Sequence, residues 1–107
     1  MTSPFRLSVI VPHLNDPQEL RLCLGSLVAQ RRPDLPLEII VVDNGSDELP
    51  QRVCSEYDDV RLEVECVPGP GPARNRGARV ARSELLAFID ADCIADPGWA
   101  RAIVDFM

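Results

Sequence analysis

Two aspartates one residue apart, Asp90 and Asp92, follow the apolar run Leu85-Leu86-Ala87-Phe88-Ile89. The run reads as a buried strand, so both carboxylates stand where a strand ends. Like charges that close raise each other's proton affinity and call for a compensating cation. A hard divalent ion held by one or two carboxylates plus phosphate oxygens is the arrangement Mg²⁺-type sites use. Taken alone, the triplet fits equally well a polar strand end with solvated aspartates.

The elements around it decide between the two. Leu7 to Val11 reads as a first strand stopped by Pro12. Asp16-Pro17-Gln18-Glu19 reads as a helix start, with Asp16 as cap and Pro17 in the first turn. Leu20, Cys23, Leu24, Leu27 and Val28 then form one apolar helix face, and Arg31-Arg32-Pro33 ends it. Leu37 to Val42 is the second strand, Asp43-Asn44-Gly45-Ser46-Asp47 a turn, and a short helix follows with Leu49, Val53 and Tyr57 on one side. Arg61 to Val67 alternates as a half-exposed strand near a sheet edge. Pro68-Gly69-Pro70-Gly71-Pro72 breaks the pattern before a helix from Ala73 to Arg82, whose small face is Ala73, Gly77, Val80 and Ala81. Leu85 to Ile89 is the fourth strand, and Pro97 opens a last helix through Trp99, Ile103 and Val104.

Strands alternating with helices predict an α/β fold, a Rossmann-like parallel sheet of about four strands with right-handed crossovers. In such sheets ligands bind outside the carboxyl ends of the strands. Pro12-His13-Leu14-Asn15, Asp43 and Asp90-Ala91-Asp92 all occupy those ends. Three polar strand ends on one rim make a site, and that agreement favours the cation-binding reading of the triplet.

Composition sets the limits. The 107 residues suffice for one small domain with a real core. A net charge of −6 argues against a phosphate-driven nucleic-acid surface. The longest apolar stretch is far short of a transmembrane span, and the N-terminus lacks the charged and apolar regions of a secretory signal, so a cytoplasmic location is expected. Cys23, Cys54, Cys66 and Cys93 show no C-x-x-C pairing and are expected to be reduced, largely buried thiols. Cys93 in particular reads as a small buried residue.

Five segments in order carry a resemblance: Ser8-Val9-Ile10-Val11-Pro12 with Asn15; Glu38 to Asp47; Gly71-Pro72-Ala73-Arg74-Asn75-Arg76-Gly77; Phe88-Ile89-Asp90-Ala91-Asp92-Cys93; and Pro97-Gly98-Trp99. Together they resemble the inverting, nucleotide-sugar-dependent glycosyltransferases of family 2, which have the GT-A fold. The resemblance implies that the chain binds a nucleoside-diphosphate sugar, with UDP-sugars the first expectation. It implies that Asp43 hydrogen-bonds the base, a role suited to an acceptor-only carboxylate; the competing reading of Asp43 is an Asx turn. It implies that Asp90 lies near the ribose and that Asp92 ligates Mn²⁺ or Mg²⁺ bridging the diphosphate. Pro12, His13 and Asn15 complete the expected substrate contacts. Arg74 is expected in the first turn of its helix, where free N–H groups and the dipole favour an anion. Arg76, Arg79 and Arg82 read as a solvated face.

Two departures stand out. After Pro12 the family commonly has a small residue and then an aromatic, where this chain has His13 and Leu14; His13 is expected to face solvent. The chain also stops soon after the triplet, so residues 1–107 are expected to be a truncated donor-binding domain without the acceptor-binding half and its base. That predicts inactivity alone and self-association, a homo-oligomer covering the apolar end at Phe106 and Met107. The competing classes are a non-catalytic remnant or interaction module, and a metal-dependent phosphohydrolase whose Asp-x-Asp would have to come earlier in the chain. An NAD-binding fold is disfavoured because Pro12 to Asp16 contains no glycine.

Overall fold

The computed structural model describes residues 3–107 and follows the predicted order. The strands are β1 (Leu7–His13), β2 (Leu37–Asp43), β3 (Val60–Val64) and β4 (Leu86–Phe88). The helices are α1 (Pro17–Val28), α2 (Gln51–Ser55), α3 (Pro70–Val80) and α4 (Trp99–Phe106). All pairings are parallel, in the order β3-β2-β1-β4. Strand order therefore reverses between β1 and β4, where this class of sheet opens a crevice.

Alternation along the two central strands divides the core. Val9, Val11, Ile39 and Val41 face α1, α2 and α4, against Leu20, Leu24, Val53 and Val104. Ile10, Ile40 and Val42 face α3 and its Ala73. Both faces of β1 and β2 are covered, which is why these strands read as unbroken Ile and Val runs.

Several boundaries depart from expectation for physical reasons. β1 runs through Pro12, which pairs with Val42. The Pro12 nitrogen points to the β4 side, beyond the last β1–β4 register pair at Ile10 and Phe88. No ladder bond is lost there, so proline is tolerated. α3 begins at Pro70 rather than Ala73: prolines fit a first turn whose N–H groups lack helical partners anyway. β3 stops at Val64, because the carbonyls of Glu65 and Val67 are taken by the Asn44 side chain. β4 is shorter than expected and is a sheet edge, with Phe88 exposed. α2 buries Val53 and Cys54, but Leu49 lies outside it and is exposed.

The arginines of α3 and its C-terminal end are well exposed, as expected, and each also pairs with a glutamate. Arg76 pairs with Glu63 at 2.9 Å, Arg79 with Glu65 at 3.6 Å and Arg82 with Glu38 at 2.8 Å. Glu38 is buried, accepting from Ser8 Oγ at 2.7 Å, from the Arg82 backbone N–H at 2.7 Å and from Arg82 Nε at 2.8 Å. This network ties the end of α3 to the first residues of β1 and β2. Burial opposes the charge of Glu38, but these hydrogen bonds outweigh it and hold its carboxyl below the ordinary glutamate range. A lowered folded-state pKa contributes stability at neutral pH that is lost as pH falls from the unfolded value through the folded one. Glu38→Gln should therefore lower stability at pH 7 by about 1–3 kcal/mol and flatten the acid limb of the stability curve. Urea titrations from neutral to acidic pH check this; an acid limb of unchanged slope would place the titration elsewhere.

The cysteines divide. Cys23 and Cys54 are buried, and burial pushes their thiols up to about 12 and about 11. Cys66 and Cys93 are exposed, against the expectation of burial. No helix among the described residues is long and apolar enough to cross a membrane.

Candidate functional site

The C-terminal ends of β1 and β4 frame a cleft of about 320 Å³. One wall is the rim loop after β1, with Pro12, His13, Leu14 and Asp16. The opposite wall is Asp90-Ala91-Asp92, and Asn44, Gly69, Pro70 and Ala73 close a third side. The expected residues Pro12, His13, Asp90 and Asp92 thus meet in one place. Asn15, Asp43 and Arg74 adjoin it without lining it.

On the acidic wall, ligand atoms of Asp90, Asp92 and Cys93 lie within 4.8 Å of one another, and all three residues are exposed. Cys93 thus lies beside the two aspartates and outside the core, without lining the cleft. Its Sγ lies 3.6 Å from Asp92 Oδ1. Partial desolvation, then the contact with Asp92 and the charges of Asp92 and Asp90, push its thiol up. Two carboxylates fit Mg²⁺ or Mn²⁺, and the thiol is a softer donor that Mn²⁺ tolerates better than Mg²⁺. The donor set therefore fits the implied cation.

Arg74 Nη2 lies 3.8 Å from Asp90 Oδ1, with both side chains well exposed. Such a pair is weakly held, so the guanidinium is free to turn to an anion in the cleft. Arg74 is not in the first turn of α3, however, since that helix starts at Pro70. Of its first three residues, Pro70, Gly71 and Pro72, only Gly71 has an N–H. The expected cluster of free backbone donors is reduced to one.

His13 corrects the expectation of a solvent-facing ring. It is buried, and parallel register sets it beside Asp43. Nδ1 lies 2.9 Å from Asp43 Oδ1, and Nε2 accepts the Asp16 backbone N–H at 3.0 Å. These partners assign the proton to Nδ1 and leave neither nitrogen for a ligand. Asp43 is equally committed. It is 1 % exposed, and it accepts from Ser46 Oγ at 2.6 Å and from the Ser46 N–H at 3.0 Å. Burial opposes its charge, but the Ser46 and His13 hydrogen bonds outweigh it and hold the carboxyl below the ordinary aspartate range. Its backbone bond reaches Ser46, three residues on, where an Asx turn would reach two. Asp16 makes no side-chain cap bond to α1; its carboxylate remains on the cleft.

Asn15 stitches the two loops together. Its N–H donates to Ser46 Oγ at 2.8 Å, and its Oδ1 accepts the Asp47 N–H at 2.9 Å. Its φ of 51° is left-handed, a conformation asparagine tolerates better than most residues. Asn44 is the residue that sequence reasoning passed over. Its Nδ2 donates to the carbonyls of Glu65 and Val67, and its Oδ1 accepts the Gly69 N–H at 2.8 Å. It thereby fixes the turn entering α3, where Gly69 has φ 115°. Its place in a strand-end turn was the available signal; its partners, at least 21 residues away, were not.

Comparison with known proteins places these features. The profile of Glycosyl transferase family 2 matches residues 8–107. Glycosyltransferase AglE of Haloferax volcanii is 34 % identical over 103 residues, covering 92 % of this chain and 34 % of that protein. Validoxylamine A glucosyltransferase of Streptomyces hygroscopicus subsp. limoneus is 34 % identical over 104 residues, covering 92 % and 23 %. Among solved structures, mannosyltransferase PcManGT from Pyrobaculum calidifontis, in complex with GDP-Man and Mn²⁺, superposes with a TM-score of 0.80 at 28 % identity, over 92 % of this chain and 31 % of that one. S. aureus TarS 1-349 in complex with UDP-GlcNAc also gives 0.80, at 26 % identity, over 99 % and 31 %. The chain spans about a third or less of the length of these proteins. With its four-stranded parallel sheet and its acidic strand end, the chain belongs to glycosyl transferase family 2 and has the architecture of GT-A glycosyltransferase structures.

Proposed function

We propose that the cleft binds a nucleoside-diphosphate sugar with Mn²⁺ or Mg²⁺ and presents it for inverting transfer to an acceptor hydroxyl. The observation that carries this reading is the convergence of Asp90 and Asp92 on a cleft, with Cys93 beside them and Arg74 paired to Asp90. Bound there, the cation supplies Lewis-acid stabilisation to the departing diphosphate. Asp92 holds it, with Cys93 in reach. Asp90 lies beside the ribose, and Arg74 swings from Asp90 to a phosphate oxygen, a charge-assisted contact. Pro12, His13 and Leu14 form the apolar wall for the base, while Asn15 and Asp43 hold that wall in place. The UDP-GlcNAc and GDP-Man bound by the solved neighbours support the ligand class and leave the base open.

Calorimetry with UDP and GDP, in Mn²⁺ and in EDTA, tests the reading. Binding is expected in Mn²⁺ and at least about tenfold weaker in EDTA, a difference of roughly 1.4 kcal/mol. Equal affinity in both buffers would remove the metal role, and no binding of either nucleotide would remove the donor site.

Transfer needs a base within hydrogen-bond reach of the acceptor hydroxyl. His13, the sole histidine, cannot serve because both its ring nitrogens are committed within the protein, and the carboxylates of Asp90 and Asp92 are taken by the proposed donor and its cation. We expect the purified 107-residue chain to bind donor without transferring sugar. Robust transfer in a product assay would contradict this.

A further inference from the structure

We infer that Asp43 is a positioning residue, acting on the bound donor through His13 and the β1 rim loop and not by touching the nucleotide. The inference rests on the donor-binding reading above and specifies how one of its residues works. Asp43 offers no open face: its side chain is 1 % exposed, both oxygens are engaged, and it does not line the cleft. What it does reach is His13 Nδ1, across the β1–β2 register. That bond fixes the tautomer, and the tautomer decides what Nε2 can do. With the proton on Nδ1, Nε2 accepts the Asp16 N–H and holds the rim loop down at its far end. Between those two points the loop carries Leu14, 54 % exposed and facing the cleft. Ser46 tightens the same loop, donating to Asp43 and accepting from the Asn15 N–H. The chain of contacts runs from Asp43 to His13 to Asp16, and Leu14 is its output.

The two roles for Asp43 make different predictions. Asparagine at position 43 keeps one acceptor oxygen but turns an N–H toward either the Ser46 N–H or His13 Nδ1–H. If Asp43 positions, Asp43→Asn should disturb the His13 tautomer in ¹⁵N NMR spectra and speed hydrogen exchange of the Asp16 amide. UDP affinity in Mn²⁺ should fall roughly tenfold. His13→Gln should weaken UDP by a similar factor, and the double variant should be no weaker than either single one, because both break one chain of contacts. Independent, multiplying losses would overturn the inference. So would weaker UDP binding by Asp43→Asn with an unchanged His13 tautomer and Asp16 exchange, the signature of direct contact. If Asp43→Asn does not fold, Ser46→Ala against Ser46→Thr asks the same question. Alanine should speed Asp16 exchange and weaken UDP, and threonine should restore both; identical behaviour of the two would overturn it. A wild-type protein that binds no nucleoside diphosphate defeats the donor-binding reading and this inference together. A wild type that binds, with Asp43→Asn indistinguishable from it, defeats this inference alone.

Discussion

Asp92→Asn is expected to abolish the metal-dependent part of nucleotide binding while the protein stays folded. The amide keeps the shape of the side chain and removes the charge that a hard cation requires. Asp92 is exposed and among the described residues hydrogen-bonds the neighbouring Cys93 thiol alone, so its replacement disturbs no buried contact. The affinity of the variant in Mn²⁺ should fall to that of the wild type in EDTA, a loss on the order of tenfold to a hundredfold. The melting temperature without metal should hold or rise, because one of two adjacent like charges is gone. Paired calorimetry and thermal melts check both halves. A sharp fall in metal-free stability would mean that the Asp90–Asp92 pair is structural.

The second large effect lies in the core, at Gly77. A Cβ built there would come within 2.7 Å of Ile10 Cγ1 and closer still to Cγ2. Ile10 is fully buried in a central strand and cannot step aside. A side chain at position 77 must lift α3 off β1. Overpacking of this kind costs roughly 1–3 kcal/mol, and Gly77→Val should sit at the upper end, lowering the melting temperature on the order of 10 °C or more. Gly77→Ala recovers part of its cost from helix propensity, about 1 kcal/mol. Combining Gly77→Ala with Ile10→Ala should cost less than the two separate losses added together. Simple additivity in urea titrations would show that the contact is not the cause. Because α3 also carries Ala73 and Arg74, the nucleotide affinity of Gly77→Ala should drop with its stability.

Periodicity made the order of strands and helices legible, because Ile and Val runs alternating with one-sided helices admit few arrangements. The strand ends that build the cleft followed from that order. Side-chain partners did not. His13 gave no local sign of burial, since Asp43 lies 30 residues away and arrives beside it only through the β1–β2 register. The arginines of α3 are solvated as they read, but their partners, Glu38, Glu63 and Glu65, sit on other elements and left no local signal. Cys93 read as a core residue because free cysteine is ordinarily buried, yet β4 has ended before it and the residue is exposed. The proline-rich segment reads as a break because alternating Pro and Gly carry no apolar periodicity, whereas Pro70 and Pro72 together occupy a helix's first turn.

Those two prolines also set how the site responds to its medium. A diphosphate held by a row of backbone N–H groups rests on short, directional bonds that dissolved ions barely weaken. With Gly71 the lone N–H of that turn, the proposed donor site would leave the anion to Arg74 and to a cation on Asp92. Both are exposed charges, and charges in contact with solvent are screened over about 8 Å at physiological ionic strength. Nucleotide binding by this chain should therefore fall steadily as sodium chloride is added, which makes ionic strength, alongside metal concentration, a natural control on how full the site is.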